Sequence, residues 1–134
     1  MKAMPKIQKF MTDMPHTVGE DISLNKALEI MREFRIRHLP VQNAGKLVGI
    51  LTDRDIKLAT SFRGPAELAV GDVMAPDPYV VDPDTQVDTV AYEMAEHKYG
   101  CAIVAQKNGK VVGIFTAVDG LRVLGDTLRQ HYKE

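Results

Sequence analysis

Apolar residues recur along the chain with two different spacings, whose order predicts short strands interleaved with helices. Ser23, a residue type that favours the N-cap position, is followed by apolar residues at helical spacing: Leu24, Ala27, Leu28, Met31 and Phe34. Two apolar runs, 39–41 and 46–51, then predict strands, and the Asn-Ala-Gly sequence between them predicts a hairpin turn. A second helix is predicted over about 53–61.

Shorter segments precede and follow these elements. Residues 6–11 form an amphipathic lead-in, and Thr17 and Val18 form a brief extended piece before the first helix. Pro40 cannot donate a backbone hydrogen bond, which predicts that its strand lies at a sheet edge or ends there. The sequence at 62–65 contains Gly-Pro and predicts the link to the next part of the chain.

The second half of the chain repeats the first. Met74 lies 63 positions after Met11 and Gly113 lies 64 positions after Gly49, so that one residue is inserted in the turn before the second glycine. Such a repeat predicts two units that bury their apolar faces against each other.

The second repeat has the same order of predicted elements. A lead-in at 72–74 and a short strand at 79–81 precede a helix with one apolar face: Val87, Val90, Ala91 and Met94. Strands at 101–105 and 110–115 flank Asn108-Gly109, the strongest hairpin signal in the chain. A last helix is predicted from about 118 towards 132, with leucines along one side: Leu121, Leu124 and Leu128. Each repeat is therefore predicted as β-α-β-β-α, over residues 1–65 and 66–134.

One motif closes both repeats, where a strand ends and a helix begins. It reads Gly49-Ile50-Leu51-Thr52-Asp53-Arg54-Asp55 in the first repeat and Gly113-Ile114-Phe115-Thr116-Ala117-Val118-Asp119 in the second. The threonine and the aspartate three residues later match a capping box. The same helix N-terminus also suits a phosphate, and its carboxylate can accept both hydroxyls of a ribose. The sequence leaves open whether these residues only cap the helix or also hold a nucleotide.

Composition and charge narrow the class of protein. The chain of 134 residues is long enough for one domain with a core, and its net charge of −1 argues against nucleic acid as an obligate partner. Cys101 is the single cysteine, so no intrachain disulfide forms and the cytosol is the expected compartment. The sequence shows no signal peptide and no apolar run of membrane-spanning length.

Catalysis and metal binding have little support in the sequence. The four histidines lack metal-ligand spacing: His16, His38, His97 and His131. The aspartates around Arg54 and in Asp82-Pro83-Asp84 are a type of site that attracts Mg²⁺, but Asp-Pro-Asp is a common turn sequence. Cys101 lies in an apolar strand, as expected for a packed thiol. We expect no enzyme activity and no metal site.

The doubled β-α-β-β-α order, closed each time by the Gly-x-x-Thr-x-x-Asp motif, resembles the CBS domain pair, or Bateman module, over nearly the whole chain. The resemblance implies an α/β fold in which two tandem repeats pack sheet to sheet with pseudo-twofold symmetry and helices outside. It also implies two clefts between the repeats that bind adenosine compounds: AMP, ADP or ATP ahead of S-adenosylmethionine. Two such modules often join, which implies a homodimer.

The resemblance also assigns candidate site residues. Asp55 and Asp119 match the ribose-binding position, and Thr52 and Thr116 match the phosphate-side hydroxyl. Arg37 and His38 lie where members of this family often place phosphate contacts. Arg54 is a further candidate on physical grounds, because the first turn of a helix is a poor place for a cation unless an anion is nearby. Six residues match the adenine slot: Thr17, Val18, Ile36, Val80, Val81 and Tyr99.

Each of these assignments has a plainer alternative. The threonines and aspartates can be caps, the arginines a solvated face, and the adenine-slot residues part of the core. The second repeat has Ala117-Val118 in place of Asp53-Arg54 and lacks the Arg-His pair, so we expect phosphate to collect on the first repeat's side. The second site is then empty or takes an uncharged or cationic adenosine compound.

The resulting hypothesis is a stand-alone regulatory module that senses an adenine nucleotide, requires no cofactor and acts on a separate effector protein. The alternative is a dimerisation or interaction scaffold with vestigial clefts.

Overall fold

The computed structural model describes residues 2–61 and 68–133. The predicted link at 62–65 and the predicted boundary between 65 and 66 lie outside the described residues. A 3₁₀ helix at Ile7–Lys9 is followed, in chain order, by β1 (Thr12–Asp13), β2 (Val18–Gly19), α1 (Leu24–Phe34), β3 (His38–Asn43), β4 (Lys46–Thr52), α2 (Asp53–Thr60), α3 (Val70–Val73), β5 (Val80–Val81), α4 (Val87–His97), β6 (Cys101–Ala105), β7 (Val111–Thr116) and α5 (Ala117–His131). This mixed α/β fold has two sheets and confirms the predicted fold class.

The chain forms two compact units. The first-repeat unit comprises Pro15–Pro78 and Gly109–Val111. The second-repeat unit comprises Met1–Met14, Tyr79–Asn108 and Val112–Glu134. Apart from Gly109–Val111, which include the first residue of β7, each repeat's β-α-β-β-α core lies in its own unit. The lead-in segments are exchanged, because the chain's beginning belongs to the unit of the second repeat.

Backbone hydrogen bonds fix this exchange of lead-ins. Before the first repeat, the Ile7 N–H donates to the Thr85 carbonyl at 2.7 Å, in the turn that precedes α4. Before the second repeat, the Gly71 N–H donates to the Glu20 carbonyl at 2.8 Å, in the turn that precedes α1. Each lead-in therefore forms a backbone hydrogen bond with the turn that precedes the first helix of the other repeat.

The first-repeat unit contains the sheet β2-β3-β4, with β2 parallel and β4 antiparallel to β3. The prediction that Pro40 marks a strand edge or end is wrong, because β3 is the central strand and Pro40 is its third residue. Ile50, the cross-strand partner of Pro40, gives both its N–H and its carbonyl to Ala75, at 3.0 and 2.9 Å. Pro40 therefore occupies a position where β4 requires no hydrogen bond from it.

The β3–β4 hairpin forms as predicted. Asn43 pairs with Lys46, which leaves a two-residue loop with φ of 52° at Ala44 and 78° at Gly45. Positive φ at both loop residues defines a type I′ turn, whose twist matches that of the strands. The second-repeat unit has the sheet order β1-β7-β6-β5, with β5 parallel to β6.

Each unit has its own apolar core. The first-repeat core contains Val18, Leu24, Ala27, Met31, Leu39, Val41, Leu51, Ile56 and Val70, and the second-repeat core contains Ile7, Val90, Met94, Ala102, Val104 and Phe115. Ser23 caps α1 as predicted, since its side chain accepts a hydrogen bond from the Lys26 N–H. The leucines of α5 differ from these core residues, because Leu121, Leu124 and Leu128 are all exposed.

Candidate functional site

The first-repeat motif forms a complete capping box where β4 meets α2. The Asp55 N–H donates to Thr52 Oγ1 at 3.1 Å, and the Thr52 N–H donates to Asp55 Oδ2 at 3.1 Å. These two bonds satisfy donors that the first turn of a helix otherwise leaves unpaired. The capping role predicted for both residues is confirmed.

The start of β3 lies beside this capping box. His38, the first residue of β3, pairs with Thr52, and the Asp53 N–H donates to the Arg37 carbonyl at 3.1 Å. Arg37 and Arg54 are exposed, and neither forms an ion pair with another described residue. The structure thus places three residues that are predicted to contact phosphate at the end of the sheet that carries Thr52: Arg37, His38 and Arg54.

Two of the first repeat's predicted adenine-slot residues lie at β2, on the side of β3 opposite β4, and the third, Ile36, lies between α1 and β3. Val18 is buried and pairs with Val41, with Thr17 immediately before it. Ile36 follows the left-handed C-cap of α1, and its N–H donates to the Met31 carbonyl at 3.0 Å. Val18 is a core residue here, whereas Thr17 and Ile36 are half-buried.

The second-repeat motif forms an equivalent capping box with additional bonds. The Thr116 N–H and Oγ1–H donate to Asp119 Oδ2 at 2.8 and 3.1 Å, and the Asp119 N–H donates to Thr116 Oγ1 at 3.3 Å. Arg122 Nη1 donates to Asp119 Oδ1 at 3.4 Å. The Ala117 N–H donates to the Gly100 carbonyl at 3.0 Å, which repeats the contact between Asp53 and Arg37.

An aromatic cluster lies at the start of β6 in the second-repeat unit. The rings of Tyr79 and Tyr99 stack with centroids 5.0 Å apart, and His97 stacks on Tyr99 at 5.1 Å. The pKa of Tyr79 is raised, mainly by burial and then by the charge of Glu93 and by Tyr99. Val80 and Tyr99 are both partly exposed to solvent, although the Tyr99 ring stacks with two neighbouring rings.

Sequence reasoning missed two residues near the predicted site, Tyr79 and Arg122. The alignment of the repeats contains a signal for both, because Tyr79 stands where the first repeat has His16, and Arg122 stands where it has Leu58. His16 itself stacks on Phe34 with centroids 3.8 Å apart, whereas Tyr79 stacks on Tyr99, which stands where the first repeat has Ile36.

The described residues contain no group of three or more histidine, cysteine, aspartate or glutamate side chains suited to a metal ion. Cys101 is mostly buried, and burial raises the pKa of its thiol to about 12. The thiol is thus packed, as the sequence predicts, and it stays protonated at neutral pH. No helix among the described residues is long and apolar enough to cross a membrane.

The fold and the doubled capping motif define a protein of two tandem α/β repeats, each closed by a capped strand–helix junction. The model of the CBS domain family matches residues 7–61 and 70–126. The chain therefore belongs to the CBS domain family.

Two curated relatives show that similar sequences occur both within a much longer enzyme and in a short protein. The chain is 34% identical to an inosine-5′-monophosphate dehydrogenase of Korarchaeum cryptofilum over 118 residues, 88% of this chain but only 24% of that protein. It is 27% identical to the CBS domain-containing protein YhcV of Bacillus subtilis, over 92% of this chain and 83% of that one. The chain spans about a quarter of the length of the former and most of the latter.

Three solved structures share the fold. A Vibrio cholerae protein named for acetoin utilization (AcuB) is 32% identical with a TM-score of 0.90, over 98% of this chain and 100% of that one. A CBS domain pair in complex with 5′-methylthioadenosine and S-adenosyl-L-methionine is 28% identical, with a TM-score of 0.86 over 93% and 99% of the two chains. CBSX2 in complex with AMP is 30% identical, with a TM-score of 0.78 over 92% and 98%. Related CBS pairs thus bind adenosine compounds.

Proposed function

We propose that this chain is a regulatory module that binds an adenine nucleotide, AMP, ADP or ATP, through the capped strand–helix junction of its first repeat. In this proposal Asp55 accepts the ribose hydroxyls, and the α2 N-terminus with Thr52 faces the phosphate. The nucleotide shifts the chain towards the arrangement that it binds better, and a separate effector protein responds.

The observation that carries this proposal is the unused capacity of Asp55. Its Oδ2 accepts the N–H of Thr52, but no described residue donates to its Oδ1. A carboxylate oxygen held in place by a cap, with its neighbour available, suits the adjacent hydroxyls of a ribose. The AMP complex of CBSX2, at 30% identity, supports the same ligand class.

Charge favours an anionic ligand at this junction. Arg54 lies in the first turn of α2 beside Asp53, whose carboxylate pairs with Lys57 at 3.8 Å, and Arg54 itself forms an ion pair with no described residue. Arg37 is also exposed, and its backbone carbonyl is bonded to the same turn. An AMP phosphate at the α2 N-terminus compensates both guanidinium groups.

A second candidate function, a dimerisation scaffold, rests on the exposed apolar side chains of α5. Five of them follow helical spacing on that helix and its C-cap: Val118, Leu121, Leu124, Leu128 and Tyr132. A second copy of the chain is a partner of matching chemistry, so we include a homodimer in the proposal. The scaffold alone predicts dimerisation without any nucleotide affinity.

Calorimetric titration with AMP, ADP, ATP and S-adenosylmethionine separates these functions. We expect Asp55→Ala to weaken AMP binding by about 1.5–3 kcal/mol, the usual worth of hydrogen bonds to a charged group. This corresponds to roughly 10- to 150-fold in affinity. Asp55→Asn, which retains an acceptor for the cap, tests the charge without removing the cap.

Asp126→Ala is the matched control, because it removes the same charge from an exposed position on α5. Its AMP affinity should equal that of the wild type. Absence of binding at millimolar nucleotide contradicts the sensor and leaves the scaffold. Normal binding by both Asp55 variants, with loss in Asp119→Ala, contradicts the assignment to the first repeat.

A further inference from the structure

The two capping aspartates differ in how many of their acceptor sites are already used. In the first repeat, Asp55 Oδ2 accepts one hydrogen bond at 3.1 Å, and no described residue donates to Oδ1. In the second repeat, Asp119 Oδ2 accepts two hydrogen bonds, at 2.8 and 3.1 Å, and Oδ1 accepts one from Arg122 at 3.4 Å. Both oxygens of Asp119 are therefore engaged, whereas Asp55 keeps one available.

A single sequence position accounts for the engaged Oδ1. Arg122 lies three residues after Asp119, a spacing that puts the two side chains side by side on a helix. The matching position in the first repeat is Leu58, which has no group to donate. The Asp119 side chain is 13% exposed and that of Arg122 is 67% exposed, so the guanidinium reaches the carboxylate from the solvent side.

We propose that Arg122 is a specificity-determining residue that holds the Asp119 carboxylate and so directs adenosine binding to the first repeat. This inference rests on the proposed function of the Asp55 junction and adds a reason for the inequality of the two repeats. A ribose diol donates to a carboxylate, so at Asp119 it competes with a donor that the chain itself supplies. At Asp55 it meets no such competitor.

Exchange of the two positions between the repeats tests the proposal. Leu58 is 67% exposed, so Leu58→Arg and Arg122→Leu both change exposed side chains and leave the cores intact. An Asp55→Ala background isolates the second repeat's site, and an Asp119→Ala background isolates the first. Adenosine is the probe, because an uncharged ligand separates the effect on the diol from any effect of Arg122 on phosphate.

We expect Arg122→Leu to strengthen adenosine binding in the Asp55→Ala background by about two- to five-fold, the range for an exposed ion pair. Leu58→Arg should weaken adenosine binding in the Asp119→Ala background by a similar factor. With 2′-deoxyadenosine, which lacks one of the two hydroxyls, both effects should shrink. Arg129→Leu, which makes the same change seven residues further along α5, should leave adenosine affinity unchanged.

The outcomes separate this inference from the function on which it rests. Adenosine binding that responds to neither exchange overturns the role of Arg122 and leaves the nucleotide sensor intact. An equal gain from Arg122→Leu with adenosine and with 2′-deoxyadenosine also overturns it, because the diol is then not the competing group. Absence of adenosine and AMP binding in the wild type and in every variant overturns both proposals.

Discussion

Replacement of Gly49 by alanine tests whether the segment around Met74 and Ala75, which precedes the second repeat, stabilises the first-repeat unit. A Cβ on Gly49 lies 2.7 Å from Met74 Sδ and 2.8 Å from the Ala75 carbonyl oxygen. Ala75 cannot retreat freely, because it exchanges two backbone hydrogen bonds with Ile50, at 3.0 and 2.9 Å. The added methyl group must therefore displace backbone as well as a side chain.

The cost of Gly49→Ala follows from these contacts. Overpacking typically costs about 1–3 kcal/mol. The two hydrogen bonds between Ile50 and Ala75 contribute roughly 0.5–1.5 kcal/mol each if they are lost. Alanine also makes the unfolded chain less flexible than glycine does, which stabilises the folded protein by about 0.4–1 kcal/mol. We expect the free energy of unfolding to fall by about 2–4 kcal/mol, and Tm to fall by roughly 8–16 °C for a chain of this length.

The matching substitution in the other repeat should be milder. The three atoms nearest to a Cβ on Gly113 all belong to the Met11 side chain, among them Cγ at 2.8 Å and Cε at 3.0 Å. A methionine side chain has three rotatable bonds and can move aside, so we expect Gly113→Ala to cost only about 1 kcal/mol. We therefore expect Gly49→Ala to destabilise the protein more than Gly113→Ala. The symmetry of the repeats alone would predict equal losses of stability.

Urea unfolding followed by circular dichroism measures these changes, with Gly125→Ala as the control. A Cβ on Gly125 meets no atom within 4 Å, and the residue lies within α5, so alanine should stabilise the protein by about 0.5–1 kcal/mol. The reasoning fails if Gly49→Ala is as stable as the wild type. It also fails if Gly113→Ala is the more damaging of the two.

Two further perturbations follow from the capping boxes and from the buried thiol. Thr52→Ala should lower the free energy of unfolding by about 1 kcal/mol in urea titrations, and Thr52→Ser should restore most of it; equal stability of all three proteins contradicts the capping role. The pKa of Cys101 is raised to about 12 from 9.0, so above pH 9 the unfolded chain loses its thiol proton while the folded chain keeps it. The free energy of unfolding should therefore fall as pH rises from 9 towards 12. Compared with Cys101→Ala, the wild type should lose about 1 kcal/mol of stability between pH 8 and pH 10. A pH-independent difference between the two proteins refutes the burial of the thiol.

The fold was predictable from the sequence because its signals are local and doubled. The helical spacing after Ser23, the type I′ turn at Gly45 and the Thr52–Asp55 capping box each depend on residues close together in the chain. The second copy of each pattern removes the ambiguity that short apolar runs have on their own.

The features that sequence reasoning missed depend on contacts between distant segments. The central position of Pro40 is possible because Ala75, 35 residues further on, takes both hydrogen bonds of its cross-strand partner. The exchange of lead-ins likewise joins residues such as Ile7 and Thr85 that no local pattern relates. The bond from Arg122 to Asp119 could have been predicted as an i, i+3 pair. Its proposed effect on binding becomes evident only when the two repeats are compared, because the first repeat has Leu58 at the matching position.

The capping box also bears on how the first repeat can bind a nucleotide without losing its own stability. Thr52 and Asp55 satisfy each other through one hydroxyl and one carboxylate oxygen, Oδ2. A ribose hydroxyl that donates to Oδ1 adds a bond without removing the cap, so folding and binding use different atoms of the same side chain. Asparagine at this position should therefore retain most of the stability and lose most of the affinity, whereas alanine loses both. At Asp119 the chain's own donors already bond to both oxygens, so a ribose hydroxyl there competes with Arg122 at Oδ1.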